Sequence, residues 1–426
     1  MLAKKVKFLK KKVSYAMAEL ALNPRKKTAI SERAGVQAEI IGMNSIDRRI
    51  IVGLNDENTA YSNLYSFDLL NDSMTLIMKN TLFPKSDSYE VFILDDDLNV
   101  RLANKELSNG SVLYYRTSST ANPLSLTSNL SDWEEYLLVD PESTAITKPL
   151  AFDDSGKNMY WLWPNENSDL GSLVIFPFDD VNHRKILYSP KRGEISVSFY
   201  GPTIVVVETF HKPETFCINN TGCEDIKNMQ SLRSTDTLRI LSRSEDGSIW
   251  MLTYLETPYD VFIYRREVKK IELLHHGRPG LTTYKLSRQI GFTFETRDHM
   301  LLQAYLSLPP EIALRDPKDV SAEDREYAEL GMLPMKPQKM IVAVHGGPQN
   351  RDRYTFSPRR IWLANRGYAV LQVNFRGSTG FGKRYKNAGN GEWSRKMHYD
   401  ILDGVEFTIA KGIANRTQVA ILGEHS

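Results

Sequence analysis

Up to about residue 284, the chain alternates short apolar runs with clusters of turn-forming residues, and it shows no long helical period. The runs RRIIVGL (48–54), GSLVIFPFD (171–179) and SIWMLTYL (248–255) are rich in β-branched and aromatic residues. Turn clusters such as Asn71-Asp72-Ser73 and Glu245-Asp246-Gly247 lie between runs of this kind. Runs of this length and composition between turn signals predict β-strands, so this region is expected to be all-β.

Four segments in this region share one shape, in which a strand ends in polar residues and a short turn leads to a second strand. They begin at Leu64, Val112, Leu173 and Val261, which are 48, 61 and 88 residues apart. The first two spacings fit one four-stranded propeller blade each, and the third fits nearly two. The pattern therefore favours a β-propeller. A β-sandwich stays open as the alternative because the repeat is degenerate.

After residue 284 the pattern changes to strands that alternate with helices. The runs MIVAV (340–344), AVLQVNF (369–375) and VAIL (419–422) predict buried strands. Ser357 followed by Pro358 predicts a helix start, and Gly367 predicts its end. The clearest helical pattern ends at Gly412 and places apolar residues every four positions, at Trp393, Met397, Ile401, Val405 and Ile409. Alternation of this kind predicts a parallel sheet with helices on its faces.

These patterns divide the 426 residues into three predicted parts. Residues 1–35 are a basic N-terminal segment without an assigned structure. Residues 36–283 are a β-propeller, which is expected to be incomplete. Residues 284–426 are the N-terminal half of an α/β-hydrolase domain with a mostly parallel sheet.

The composition argues against several classes of protein. Hydrophobic residues make up 41% of the chain and charged residues 25%, which is ordinary for a globular protein. A formal net charge of +2 favours neither nucleic acid nor a membrane surface as a partner. No apolar run approaches the roughly 18 residues of a membrane helix. The two cysteines, Cys217 and Cys223, cannot build a disulfide framework, so the expected location is the cytoplasm.

Two glycine-rich motifs follow predicted strands of the α/β part. Gly377 to Lys383 fits the phosphate loop G-x-x-x-x-G-K, but Arg384 stands where that loop needs Ser or Thr. Nucleotide binding is therefore disfavoured, and the glycines more simply allow a tight turn. The second motif is His345-Gly346-Gly347-Pro348, whose glycines free backbone N–H groups to point into a cleft, as an oxyanion hole requires. A plain strand-ending turn is the alternative for this motif.

The last residues, VAILGEHS (419–426), predict a strand followed by a turn. In the nucleophile elbow G-x-S-x-G of α/β-hydrolases, the serine comes two residues after the first glycine. Counting from Gly423 places His425 at that position and Ser426 one residue later. The acid and the histidine of the triad follow the serine in chain order in these enzymes, and neither follows this turn in the sequence to Ser426.

The motifs HGGP (345–348), NFRGSTGFG (374–382) and NAGNGEW (387–393) occur in this order. Together they resemble the start of the catalytic domain of the prolyl oligopeptidase family of serine peptidases. The resemblance is greatest to the branch of acylaminoacyl peptidases and dipeptidyl aminopeptidases. The run IIVGLNDENTAYSNLYSFDLLNDSMTLIMKN (50–80) is similar to the propeller of that branch.

This resemblance implies hydrolysis of short peptides by a serine nucleophile, without a cofactor or a metal, and a propeller that caps the active site. It implies that the N–H of Gly347 helps to form the oxyanion hole and that Arg376 and Glu392 have structural roles. The candidate site residues are therefore Ser426, His425 and Gly347. The expected partners are short peptides and a possible second copy of the chain, with no nucleic acid and no membrane.

The chain departs from the family pattern at both ends. The family turn reads Gly-x-Ser-Tyr-Gly-Gly, and His425 stands in place of the serine. The propeller region has roughly 250 residues against seven or so blades, which suggests that about two N-terminal blades are absent. We expect the coding sequence beyond Ser426 to contain a Gly-Gly pair, further strands, an aspartate and a histidine. We expect the chain as written to be inactive.

Two other hypotheses stay open. The diverged turn fits a non-catalytic protein whose propeller and half-sheet bind peptides. The second is a remnant without a stable fold, because a parallel sheet without its last strands has an open apolar edge.

Overall fold

The computed structural model describes residues 35–44, 48–86, 90–118, 125–127, 129–165, 167–218 and 222–423. The basic N-terminal segment, apart from Gly35, and the candidate residues His425 and Ser426 lie outside these ranges. The chain separates into two compact units. One contains the residues up to Trp163 together with Leu173–Ile186, and the other contains Pro164–Ser172 and the residues from Leu187 onward.

Five sheets succeed one another along the chain as propeller blades, each with its strands paired in sequence order. In the first, β1 to β4 are Ala38–Asn44, Arg49–Leu54, Asn63–Asp68 and Ser73–Met78. In the second, β5 to β8 are Phe92–Leu94, Val100–Glu106, Val112–Thr117 and Trp133–Val139, and the 3₁₀ turn Leu130–Asp132 precedes β8. In the third, β9 to β12 are Lys148–Phe152, Asn158–Asn165, Ser168–Pro177 and Lys185–Tyr188.

The fourth and fifth sheets complete this series. The fourth contains β13 to β15, which are Ile195–Tyr200, Thr203–Thr209 and Pro213–Cys217, and helix α1 (Cys223–Leu232) follows it. The fifth contains β16 to β19, which are Leu238–Arg243, Ile249–Tyr254, Val261–Arg265 and Lys270–His275. Burial in β17 follows the strand period of two, since Trp250, Leu252 and Tyr254 are fully buried and the residues between them are not.

A disulfide joins Cys217 at the end of β15 to Cys223 at the start of α1. The expected cytoplasmic location rested on the point that two cysteines cannot build a disulfide framework. One bond is not a disulfide framework, but a bonded pair no longer supports that compartment. The cytoplasmic location therefore stays a prediction without support from the cysteines.

The predicted strand–turn–strand segments are the last two strands of a blade in three of four cases, at β3–β4, β11–β12 and β18–β19. The exception begins at Val112. Its first strand is β7, but β7 pairs with Trp133–Val139 rather than with the apolar residues near Leu126. Leu126 is instead buried and bridges to Met78 of the first blade. This turn assignment was wrong because an apolar run packs against another blade instead of pairing locally.

The α/β part contains one mixed sheet of five strands. Strands β20 to β24 are Ile290–Glu295, Leu301–Ser307, Gln338–Val344, Ala369–Asn374 and Ala414–Gly423, in the order β20-β21-β23-β22-β24. The pairs β20–β21 and β21–β23 are antiparallel, and β22 pairs in parallel with both β23 and β24. Helices α2 to α5 are Arg325–Glu329, Pro358–Asn365, Lys383–Asn387 and Lys396–Ala410, and the 3₁₀ turn Pro279–Leu281 precedes the sheet. None of the helices in the described ranges has the length and apolar content needed to cross a membrane.

Helix α3 has the boundaries that local signals predict. The Ser357 side chain accepts a hydrogen bond from the N–H of Arg360 (3.4 Å), and Pro358 occupies the first helical position. Gly367, with a φ of +82°, follows the end of the helix. The predicted cap, first residue and terminating glycine are therefore confirmed.

Helix α5 differs from its predicted pattern. It begins at Lys396, so Trp393 lies before it and is 73% exposed. Its buried residues are Met397, Asp400, Gly404 and Thr408, whereas Ile401, Val405 and Ile409 are only partly buried. The buried residues Asp400, Gly404 and Thr408 have the same spacing of four but precede the predicted series by one position, which is about 100° around the helix, so the predicted series lies beside the buried face. The helix was predicted correctly, but most members of its buried face were not.

Candidate active site

The parallel strands β22, β23 and β24 end at one edge of the sheet, which is the edge where open α/β sheets bind ligands. The loop His345–Pro348 follows β22, and the loop that begins at Phe375 follows β23. β22 lies between β23 and β24, so its loop stands in the middle of the parallel strands. His425 and Ser426 follow β24 in sequence but lie outside the described residues, and their roles stay predictions.

Gly347 has a backbone conformation that other residues rarely adopt. Its φ is +115°, and a Cβ atom there would lie 3.0 Å from the backbone nitrogen of Gln349. Gly347 is exposed, and its N–H has no hydrogen-bond partner among the described residues. A donor that is not used internally is what an oxyanion hole needs. The geometry therefore suits the predicted role of Gly347, which stays a prediction.

His345 connects this loop to the loop after β23. Its Nε2 lies 3.1 Å from Oγ of Ser378, and its Nδ1 lies 2.9 Å from the carbonyl oxygen of Gly346. The imidazole stacks on Phe375 with 4.5 Å between the ring centroids. Burial lowers the pKa of His345, the bond to the Gly346 carbonyl raises it, and the cations Arg351 and Arg353 lower it further; the net decrease favours the neutral ring at pH 7.

Arg351, three residues after Pro348, binds the backbone at three places. Its guanidinium donates to the carbonyl oxygens of Asp352 (3.3 Å), Gly380 (3.3 Å) and Phe210 (3.5 Å). The same group lies 4.2 Å above the ring of Phe381. A buried arginine that donates to three carbonyls fixes three separate stretches of backbone at one point.

Asp352 is surrounded by polar side chains of β23. Its Oδ1 accepts a hydrogen bond from Nε2 of Gln372 (2.6 Å), and its backbone N–H donates to Oδ1 of Asn374 (2.7 Å). Its Oδ2 is buried and has no hydrogen-bond partner in the described part of the chain. Burial raises the pKa of this carboxyl to about 6, because the charged form is poorly solvated there.

Arg376, in the loop after β23, forms an ion-pair cluster. Its guanidinium donates to both carboxylate oxygens of Asp298, at 2.9 and 2.8 Å, and to Oδ1 of Asp400 at 2.7 Å. These bonds hold the pKa of Asp298 well below its usual range. Asp400 is fully buried on α5, and Asp298 lies in the β20–β21 turn, so Arg376 ties three elements together. Glu392 accepts a bond from the N–H of Lys396 (3.4 Å) at the start of α5.

The near match to a phosphate loop has its backbone amides occupied. Helix α4 begins at Lys383 but has only five residues. The N–H of Gly382 donates to the Glu194 carboxylate (3.3 Å), and the N–H of Arg384 donates to that of Asp169 (3.1 Å). Amides that already donate to carboxylates leave no cradle for a phosphate.

Comparison with known proteins shows what this chain resembles. Residues 354–425 match the prolyl oligopeptidase family. Dipeptidyl peptidase family member 6 of Caenorhabditis elegans is 47% identical over 418 residues, which cover 97% of this chain and 55% of that protein. Dipeptidyl aminopeptidase BIII of Pseudoxanthomonas mexicana is 28% identical over 381 residues, which cover 88% of this chain and 50% of the relative. The chain is therefore similar to the prolyl oligopeptidase family.

Solved structures show the same fold. The crystal structure of puromycin hydrolase has a TM-score of 0.60 at 14% identity and covers 96% of this chain and 60% of its own. Oligopeptidase B from Leishmania major has a TM-score of 0.57 at 12% identity, with 90% and 52% covered. These likenesses confirm the predicted β-propeller followed by an α/β-hydrolase part. The chain spans about half the length of the curated relatives it matches.

Sequence reasoning missed Arg351, Asp352 and Ser378. Ser378 lies in the motif NFRGSTGFG, but His345, which it contacts, is 33 residues away along the chain. The available signal for the other two was the charged run Arg351-Asp352-Arg353 directly after the glycine loop. Charges in a loop are usually solvated, so the burial of Arg351 and the partial burial of Asp352 could not be predicted from composition.

Proposed function

We propose that this chain provides the propeller and the oxyanion side of a serine peptidase that releases aminoacyl, acylaminoacyl or dipeptidyl units from short peptides. The observation that carries this proposal is the loop after β22, where Gly347 presents an N–H without an internal partner. The similarity of residues 354–425 to the prolyl oligopeptidase family supports it. The relatives named as dipeptidyl peptidase and dipeptidyl aminopeptidase support the release of short units.

The remaining parts of the reaction determine what the 426 residues can do alone. Acyl transfer by a serine requires a general base for the hydroxyl proton and donors for the oxyanion. Gly347 would be one donor, and the residue after the nucleophile would supply the other. His425 stands at the serine position, and within residues 1–426 no aspartate follows Asp403. We therefore expect that a polypeptide of these residues alone, with Ser426 as its last residue, does not hydrolyse peptides.

The test compares binding with turnover in one preparation of the polypeptide 1–426. Dipeptidyl, aminoacyl and N-acetyl-aminoacyl nitroanilides report hydrolysis, and calorimetry with unlabelled peptides of the same sequence reports binding. We expect binding without release of nitroaniline. Turnover that Ser426→Ala abolishes would contradict the expected inactivity, and the lack of both binding and turnover would remove the peptide proposal.

A non-catalytic peptide-binding protein is the second candidate. His425 in place of the nucleophile is the observation that favours it. The two candidates differ in a polypeptide that includes whatever coding sequence follows residue 426 in the gene. Turnover by such a polypeptide would favour the peptidase, and peptide binding without turnover would favour the second candidate.

We also propose the cytoplasmic location and the domain boundaries after residues 35 and 283. The boundaries rest on the change of pattern near residue 284, whereas the location has no support from the cysteines, which are bonded. Limited proteolysis that cuts near residue 284 and leaves two resistant parts would support the second boundary. Cleavage confined to the region between Trp163 and Leu187, where the compact units divide, would argue against it.

A further inference from the structure

The carbonyl of Gly346 and the N–H of Gly347 belong to one peptide group. No cis peptide bond occurs among the described residues, and the C=O and N–H of a planar trans peptide point in opposite directions. The Nδ1 atom of His345 lies 2.9 Å from the Gly346 oxygen. A side chain that fixes this oxygen therefore also fixes the direction of the Gly347 N–H.

The two hydrogen bonds of His345 determine its tautomer. A carbonyl oxygen only accepts, so Nδ1 carries the proton that it donates to Gly346. Nε2 of a neutral ring is then an acceptor, and the Ser378 hydroxyl, 3.1 Å away, donates to it. Ser378 is fully buried, and a buried hydroxyl needs such a partner.

The loop after β23 fixes the imidazole in two ways. Ser378 sets which nitrogen faces Gly346, and Phe375 sets the plane of the ring, since the two rings are 13° from parallel. Both residues belong to this one loop. Arg351 and Arg353 are the charged groups that act on the ring, and both oppose its protonation.

We propose that His345 is a positioning residue, which with Ser378 holds the Gly346–Gly347 peptide so that the Gly347 N–H stays directed at an acyl oxyanion. The consequence for catalysis rests on the proposed peptidase function, whereas the arrangement itself does not. His345 acts through the Gly347 N–H and does not contact the substrate. A peptide group that is held before the reaction needs no reorganisation when the oxyanion forms.

The chain offers a selective probe for this peptide, because Gly346-Gly347 is its one Gly-Gly pair. In a polypeptide labelled with glycine carrying carbonyl ¹³C and ¹⁵N, an HNCO spectrum gives one cross-peak, which joins the Gly346 carbonyl to the Gly347 N–H. The position of this cross-peak in the unmodified chain is the reference for the substituted chains. The spectra are recorded at about pH 8, above the ordinary histidine pKa of about 6.5, because burial lowers the pKa of His345 and the ring is neutral there.

Four substitutions separate positioning from general disturbance. His345→Gln removes the donor at the Nδ1 position and is expected to shift the cross-peak, as is Ser378→Ala. His345→Asn places an amide N–H close to the Nδ1 position and is expected to restore the peak towards its original place. His299→Gln is the control, because His299 is exposed and pairs with Glu295, and it should leave the peak unchanged. A peak that ignores His345→Gln would overturn the proposal.

The unmodified chain provides an independent measurement of the tautomer. Long-range ¹H–¹⁵N spectra of a histidine-labelled polypeptide distinguish an Nδ1–H from an Nε2–H ring, and an Nε2–H ring at His345 would overturn the proposal. None of these spectra requires turnover. If the polypeptide neither binds nor cleaves peptides while the spectra behave as expected, the proposed function fails and the positioning stands. The reverse result would leave the function intact and remove the role of His345.

Discussion

Three charged residues near the candidate site differ in the partners that compensate their charge. Arg376 is neutralised by two carboxylates. Arg351 donates to backbone carbonyls. Asp352 has one carboxylate oxygen with a partner and one, Oδ2, that is buried without a partner among the described residues. Because desolvation of a charge is costly unless it is compensated, these residues should differ in how substitution changes stability.

Asp352 should make the stability of the fold depend on pH. Its pKa in the folded state, about 6, lies above the unfolded value of about 3.9. The folded state therefore binds the proton of this carboxyl more tightly than the unfolded state does. The protonated carboxyl contributes stability in full below about pH 4, and this contribution, up to about 3 kcal/mol, is lost as the pH rises through 6. We expect Asp352→Asn to be more stable than the parent chain at pH 7 and similar to it at pH 4. Urea unfolding at both pH values measures this.

The control for this prediction is Asp319→Asn, at an exposed position. It should follow the parent chain at both pH values. Equal urea midpoints for Asp352→Asn and the parent chain at pH 7 would show that the fold does not raise the pKa of the Asp352 carboxyl.

The ion pair of Arg376 with Asp400 on α5 should contribute far more to the free energy of unfolding than the surface pair of Glu406, on the same helix, with Arg416. Asp400→Asn leaves a buried guanidinium short of one charge, and removal of one partner of a buried pair costs about 3–5 kcal/mol. Glu406 pairs with Arg416, and their side chains are 53% and 63% exposed. Such a pair contributes about 0–1 kcal/mol, so Glu406→Gln should resemble the parent chain in urea unfolding. Similar losses for both variants would contradict this ranking.

Among the elements, those set by local signals were predictable from the sequence and those set by packing were not. Helix α3 carries its own cap and stop in Ser357 and Gly367, and the structure has both. The buried face of α5 includes Asp400 because Arg376 reaches it from another element. No periodicity in the sequence of α5 could indicate that partner.

The candidate site shows the same division. The HGGP loop was predicted because its glycines follow a buried strand directly. The contact of His345 with Ser378 joins two loops across the sheet edge. Such a contact depends on which strands are neighbours, and neighbourhood in a sheet is a property of topology rather than of local sequence.

Gly404 lies where α5 packs closely on the sheet, so a larger residue there should destabilise the fold. A Cβ atom there would lie 2.8 Å from Cγ2 of Val373 and 3.2 Å from Cζ of Phe294. Helix propensity favours alanine by about 1 kcal/mol, but overpacking costs about 1–3 kcal/mol. We expect Gly404→Ala to be destabilising in urea unfolding and to be partly rescued by Val373→Ala. Strictly additive losses in this double-mutant cycle would show that the two side chains do not compete for space.

At the scale of the whole molecule, the edge strand β24 is an exposed apolar feature. In the described part of the chain β24 pairs with β22 alone. Ile421 is 67% exposed and Leu422 is 37% exposed. An edge strand with exposed apolar side chains offers its unpaired backbone groups to another chain.

We expect the polypeptide 1–426 to self-associate through this edge as its concentration rises. Ile421→Lys should shift the equilibrium towards monomer, because a charge on the edge opposes pairing with another strand. Sedimentation velocity over a range of concentrations measures the effect. Met335→Lys is the matched control, since Met335 is exposed in a loop and should not alter association. A polypeptide that stays monomeric throughout would exclude β24 as a pairing edge.

Arg351 and Gly380 compete for one small volume, which restricts the order in which the two positions can change over evolutionary time. A Cβ atom on residue 380 would collide with the guanidinium of Arg351. Loss of the arginine would remove this collision, and the φ of +94° at Gly380 would then be the remaining restriction on a side chain there. A side chain gained first at position 380 would instead displace the buried guanidinium of Arg351, which would then need another place in the fold. Descendants of such a chain should therefore replace Arg351 before they replace Gly380, and lineages with the opposite order should be rare.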